Sequence, residues 1–205
     1  MIHYHGGPIT PDTCAIKAWH GRHAFVSYAR PDQLGLASEI CQSFAFDNGA
    51  FTKWKQGGEI NWTGYYDFVE HWKNHPRFDF AIIPDVIGGG EVENDELISL
   101  WPHGACGVPV WHMNESDERF IRLCEEFDRV AIGSCGEYDV KYPKKCVARL
   151  KDVIRHVVDA NGYPIAKLHG LRMLNGRIFS QLPLASADST NVARNIGIDK
   201  AWKGT

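Results

Sequence analysis

Apolar residues in this chain come in short runs, each closed by a polar or glycine-rich cluster. Eight runs stand out, at positions 2–5, 24–28, 43–46, 80–83, 108–111, 130–132, 165–168 and 184–187. Each is too short for a globular helix, and most are rich in Val, Ile or aromatic residues, which marks them as strands. The segments between them carry helical signals. Thr10 and Pro11 open a helix over 11–20, with Thr10 as N-cap and Pro11 at the first helical position, and 31–41 opens in the same way. Trp62, Tyr65, Tyr66, Val69 and Trp72 recur at near-helical spacing over 62–74. Ser116 is the expected N-cap of a helix over 116–127, with acids in its first turn. Over 143–160, Val147, Leu150, Ile154 and Val157 share one face, and Asn161-Gly162 is the expected stop.

Strands alternating with helices build parallel β/α units. Eight such units predict a compact (β/α)8 TIM-type barrel, a single domain over 1–205. The fold usually takes roughly 250 residues, so a 205-residue version must shorten its connections, notably between the first two strands. An open doubly wound sheet shares the alternation. It wants a G-x-G-x-x-G loop after the first strand, which His5-Gly6-Gly7-Pro8-Ile9 does not supply.

Composition narrows the setting. The chain is 44% hydrophobic and 23% charged, enough for a real core. No apolar run approaches the roughly 20 residues that span a bilayer, and the N-terminus lacks the pattern of a secretion signal. The expectation is a soluble cytoplasmic protein with no membrane partner. The six cysteines are widely spread without C-x-x-C spacing, which reads as free thiols rather than disulfides or structural zinc. The net charge of −3 hides an asymmetry: residues 1–137 hold 10 Lys and Arg against 20 Asp and Glu, and residues 138–205 hold 12 against 5. A basic C-terminal third suits an anionic partner, with mixed solvated surfaces as the plainer explanation.

In a barrel the chemistry sits at the C-terminal ends of the strands. Reading those ends in order gives His5, Tyr28, Asp47, Asp85, His112, Gly133-Ser134, His169 and Asp188-Ser189. Asp47, Asp85 and Asp188 each follow an apolar run and are expected to be partly desolvated. Taken singly, each fits an N-cap or turn. Converging on one rim, paired carboxylates can divide into nucleophile and general acid when their environments separate their pKa values. His5, His112 and His169 could join them in a metal site, but no H-x-x-x-H or H-E-x-x-H spacing supports one. Gly88-Gly89-Gly90 reads as a flexible loop before a phosphate cradle. Phe51 and Trp54, close behind Asp47, are candidates for stacking on a planar base.

These strand ends resemble the tRNA-guanine transglycosylases. Phe46-Asp47-Asn48-Gly49-Ala50-Phe51 resembles their D-S-G-[GA]-[FY] segment, and Ile82-Ile83-Pro84-Asp85 falls at their second base-binding Asp. Ala131-Ile132-Gly133-Ser134 resembles their V-G-G segment, and Ala187-Asp188-Ser189 the F-D-S segment that carries their nucleophile. The likeness runs from about 43 to 190 and is similar also to the DNA-modifying deazapurine transferases, as in a compact phage-type relative. The family's C-x-C-x-x-C zinc subdomain has no counterpart, which turns the expected substrate from tRNA towards DNA. The resemblance implies transfer of a purine or 7-deazapurine base without metal or cofactor. Asp188 is then the nucleophile and Asp47 the acid/base. Asp85, Asn48, Gly49, Phe51, His112, Gly133, Ser134, His169 and Ser189 line the base pocket. Lys167, Arg172, Arg177 and Arg194 contact the nucleic-acid backbone. A hydrolytic N-glycosylase, a metal-dependent barrel hydrolase and a non-catalytic nucleic-acid binder are the alternatives.

Overall fold

A computed structural model of the chain describes residues 1–58 and 61–196. Nine strands form one all-parallel sheet: β1 (Ile2–Gly6), β2 (His23–Ser27), β3 (Ser43–Asp47), β4 (Phe78–Ile82), β5 (Gly107–Val108), β6 (Val110–His112), β7 (Arg129–Gly133), β8 (Lys167–Gly170) and β9 (Ser186–Ser189). Their spatial order is β5-β4-β3-β2-β1-β9-β8-β7-β6. The two ends of that order are consecutive in the chain, because only Pro109 separates β5 from β6. Proline has no N–H to give a ladder. Val108 therefore pairs with β4, Val110 pairs with β7, and the Pro109 carbonyl accepts the Ala131 N–H at 2.9 Å. One broken strand serves as the closing stave of an eight-stave barrel, and the open doubly wound sheet is excluded.

The helices lie between the staves: α1 (Asp12–Trp19), α2 (Leu34–Ile40), α3 (Ala50–Gln56), α4 (Trp62–Trp72), α5 (Glu91–Ser99), α6 (Asp117–Glu126), α7 (Pro143–Ile154), α8 (Gly176–Phe179) and α9 (Asn191–Asn195). Ser116 caps α6 as expected, its hydroxyl accepting the Arg119 N–H. The first two helices start later than expected, α1 after Pro11 and α2 after a turn at 31–33. The helix α7 stops at Ile154, not at 160. Beyond it the Ile165 N–H bonds the Val157 carbonyl and Val158 bridges Pro164, so Asn161-Gly162 is a hairpin turn and not a helix stop. The glycine-rich stretch at 88–90 leads straight into α5, which begins with Glu91 and Glu93. Two acids at that terminus repel a phosphate.

Strand alternation divides the core into shells. Outward residues such as Val26, Phe46, Ala81, Trp111, Ile132 and Leu168 pack against the helices. Inward residues Tyr4, Phe25, Ala45, Phe80, Ile82, Val108, Val110 and Ala131 fill the barrel. At mid-height four rings meet: Tyr4, Phe25, Phe80 and His169, with centroids 5.2–6.2 Å apart. Below them, at the N-terminal ends of the strands, the interior is polar. The Tyr4 hydroxyl donates to Asp79, Arg129 pairs with Asp79 at 3.1 Å and lies over Phe80, and His23 contacts Ser43. Removing one ring from the filled layer leaves a cavity that the closed wall cannot collapse around. Phe80→Ala is expected to destabilise the fold by about 3–5 kcal/mol, read as a drop in the guanidinium unfolding midpoint at unchanged slope.

Candidate active site

Two residues above the ring layer, the inward positions become polar. Phe25 is followed at the same parity by Ser27, Ala45 by Asp47, Val110 by His112, Ala131 by Gly133 and Ser186 by Asp188. These positions, with Asp85 just beyond β4, form the mouth at the C-terminal ends of the strands. Asp85 is 7% exposed and Asp188 4%.

Asp47 ends β3 with its carboxyl held in a poor environment for charge. Burial pushes its pKa up to about 6, opposed by the Ser27 hydroxyl and reinforced by the carboxylates of Asp188 and Asp85. Asp188 presents a different picture. Its Oδ1 accepts the Arg172 backbone N–H at 2.7 Å, and His169 Nε2 lies 3.6 Å from the same oxygen. Arg172 adopts φ +62, a left-handed conformation that costs a non-glycine residue energy.

Asp85 and His112 form a pair. Asn48 donates to Asp85 Oδ1 at 2.6 Å and to the Ile83 carbonyl at 2.9 Å, while its own oxygen accepts the Ala50 N–H. His112 Nε2 stands 2.9 Å from Asp85 Oδ2, within ion-pair distance but out of line for a hydrogen bond. Burial disfavours the His112 cation, but the carboxylates of Asp85 and Glu115 outweigh it and hold the pKa above the ordinary histidine value. Glu115 accepts the His112 backbone N–H at 2.8 Å and is itself held by Arg119 at 2.6 Å and Asn94 at 3.0 Å. This buried network fixes the end of β6. In the sequence it shows only as the i, i+4 spacing of Glu115 and Arg119.

Several expected site residues take other roles. His169 is completely buried in the ring layer, its Nδ1 2.8 Å from the Ser186 hydroxyl; it supports Asp188 from below and does not line an open pocket. Asn48 is 1% exposed and spends its amide on Asp85, so it positions and does not read a ligand directly. Gly49 sits at φ +82, and a Cβ there would come within 3.0 Å of the Ala29 backbone N, so it lets α3 start close to the β2 loop. A Cβ on Gly133 would strike His112 Nδ1 at 2.7 Å, so that glycine makes room for the imidazole. Ser189 accepts the Asn191 N–H as a turn-former. Ser134 lies just past β7 beside the mouth. Phe51 does lie beside the mouth, with the Arg172 guanidinium 4.3 Å and Lys55 Nζ 4.5 Å from its ring centre.

The expected backbone contacts divide. Arg172 is at the mouth and Arg194 follows β9 on α9, while Arg177 is exposed on α8. Lys167 is misplaced by the sequence reading: it begins β8, pairs in register with Arg129 and lines a cavity of about 460 Å³ at the opposite, N-terminal rim. The basic character of the C-terminal third is also partly neutralised in the fold. Arg149 pairs with Asp117 of α6 at 2.5 Å, and Lys145 with Glu137.

The strand-end histidines are not brought together. His5 has the opposite parity to Tyr4 and so points out of the barrel, and His169 is sealed in the ring layer. Among the described residues no three His, Cys, Asp or Glu side chains are arranged to hold a metal ion. None of the helices described is long and apolar enough to cross a membrane, and all six cysteines are free. No family model, curated protein or solved structure matches the chain. The chemistry of the mouth therefore rests on its own geometry.

Asp47 gives a pH signature. Its folded-state pKa, about 6, lies above the ordinary 3.8, so its contribution to stability is present below pH 4 and lost as the pH rises through 6. Asp47→Asn removes that dependence. The stability of the variant relative to the parent should therefore rise by about 1–2 kcal/mol between pH 4 and pH 8, as measured by denaturant melts at the two pH values.

Proposed function

We propose that the chain is a nucleobase glycosyl-transfer enzyme, acting on an N-glycosidic bond in nucleic acid through an aspartate nucleophile. The observation that carries the reading is the unequal pair of carboxylates at one barrel mouth. Asp47 keeps its proton to about pH 6, and Asp188 stands beside it with one oxygen bonded to the Arg172 N–H. A carboxyl that holds its proton beside one fixed by a backbone N–H can serve as acid and nucleophile respectively.

The steps follow from that division. An oxygen of Asp188 bonds to the anomeric carbon as the carbon–nitrogen bond breaks, giving a glycosyl-enzyme. The bonding electrons leave with the base, and Asp47 gives it a proton. A second base or a water molecule, giving its proton to Asp47, then attacks the same carbon and releases Asp188. The Asp85–His112 pair, 2.9 Å apart at the mouth, is a polar couple of the kind that suits a purine-type edge. The strand-end resemblance to the tRNA-guanine transglycosylases supports guanine or a 7-deazaguanine as that base, and DNA ahead of tRNA as its carrier.

The test is direct. DNA and RNA are incubated with the protein, with and without labelled 7-deazaguanine, and base release, label incorporation and a covalent adduct on a denaturing gel are followed. Incorporation supports exchange, and release alone supports hydrolysis at the same site. Asp188→Asn should lower either rate by about 10³-fold or more and abolish the adduct, with an unchanged melting profile. If no polymer yields release or incorporation, the reading fails.

A further inference from the structure

Outside the carboxylate cluster, the rim around α3 carries chemistry that the mouth itself does not use. Trp54 is 58% exposed, a large apolar ring left in solvent. Its ring centre is 6.0 Å from that of Phe51, tilted by only 30°. Phe51 already holds two cations, Lys55 and Arg172, so Trp54 is the ring of the pair left with open surface. Lys55 lies one turn beyond Phe51 on the same face of α3, while Lys53 lies on the opposite face. These lysines stand out in the otherwise acidic portion of the chain before residue 138. The exposed acid at the adjoining β2–α2 turn, Asp32, is paired with Arg30. The helix α3 follows Asp47 after two residues, and the Arg172 N–H is bonded to Asp188, so the platform adjoins both carboxylates of the mouth.

We infer that α3 and Arg172 form a stacking platform for single-stranded nucleic acid. Trp54 receives the base neighbouring the nucleotide at Asp188, and Lys55 and Arg172 face the phosphates. This rests on the reading of the mouth as a nucleotide site. The occupant must offer a flat π-face and closely spaced negative charges together. A nucleic acid strand does so at every residue, a duplex hides its faces in its own stack, and an acidic peptide has no such face.

The experiment uses the Asp188→Asn chain, so that no chemistry intervenes. Fluorescence anisotropy follows labelled single-stranded DNA, single-stranded RNA of the same sequence, and duplex DNA, with the melting profile of every variant checked. Single strands should bind more tightly than duplex, and the DNA and RNA arms identify the sugar. Trp54→Ala should weaken binding roughly tenfold or more. Lys55→Ala should make the salt slope shallower by about 0.7, and Lys53→Ala, on the opposite face of α3, should leave it unchanged. Arg172→Gly, which keeps the N–H and suits the left-handed backbone, should weaken binding without loosening the fold. Val92→Ala, a still more exposed apolar change on α5, should leave binding unaltered. Unchanged affinity in Trp54→Ala, equal binding of duplex, or no binding of any strand overturns the platform. Base release by the parent with Trp54-independent binding removes the platform and leaves the glycosyl-transfer reading. Trp54-dependent binding without release or exchange does the reverse.

Discussion

The ring layer of Tyr4, Phe25, Phe80 and His169 is the constraint on which the mouth depends. Four rings with centroids 5.2–6.2 Å apart fill the barrel at mid-height, and strands change face with every residue. Once Phe25, Ala45, Val110, Ala131 and Ser186 face inward at the level of the rings, the residues two places further on must face inward as well, and they stand above that floor. Ser27, Asp47, His112, Gly133 and Asp188 are there by parity, not by loop design. A one-residue slip of β3 or β9 would turn Asp47 or Asp188 out among the helices and bring an apolar residue into the mouth. Fold and chemistry are therefore specified by the same alternation.

A floor of rings also sets the electrostatics. It removes water from below the carboxylates, and a carboxyl without water resists ionisation. The four charged groups of the mouth meet this in different ways. Asp85 takes the Asn48 amide and faces the His112 imidazole. Asp188 takes a backbone N–H. Asp47 has no comparable partner, and burial beside the other two carboxylates drives it towards neutrality. The buried Glu115–Arg119 pair adds little net stability of its own kind, but it fixes the backbone of His112 through Glu115 and so keeps the Asp85 partner in place.

The barrel was legible because its eight apolar runs are separated by helical segments and flanked by turn residues. Strand ends were less legible. The runs at 165–168 and 184–187 mark apolar stretches, but the strands begin two residues later, at Lys167 and Ser186; at the first of them the Ile165 N–H is spent on Val157 in the hairpin after α7. That shift moves His169 from the expected rim into the ring layer. It also explains why Lys167 appeared available to a ligand when it belongs to the far end of the barrel. Asp47 and Asp85 were visible because each closes an apolar run. Glu115, Arg119 and Asn94 were not, because their roles arise from α5 and α6 meeting beneath β6, and short-range pattern carries no record of that meeting. Charge counted along the chain misled for a related reason: Arg149 finds Asp117 across a sequence gap of 32 residues.

Arg172 joins the two levels of the site. Its left-handed backbone costs on the order of 1–2 kcal/mol for a side chain with a Cβ, and glycine would avoid that cost. Two contacts hold it there: the N–H on Asp188 and the guanidinium over Phe51. A charge-assisted N–H to a carboxylate and a cation–π contact are each of the right size to offset the strain. The loop after β8 is thereby tied to the start of α3 across the mouth, and the two staves that carry Asp188 and Asp47 are spanned by one side chain. Glycine at 172 would supply the first contact and lose the second. The sequence's choice of arginine in an unfavourable backbone region is physically accounted for only by what its side chain does at the rim.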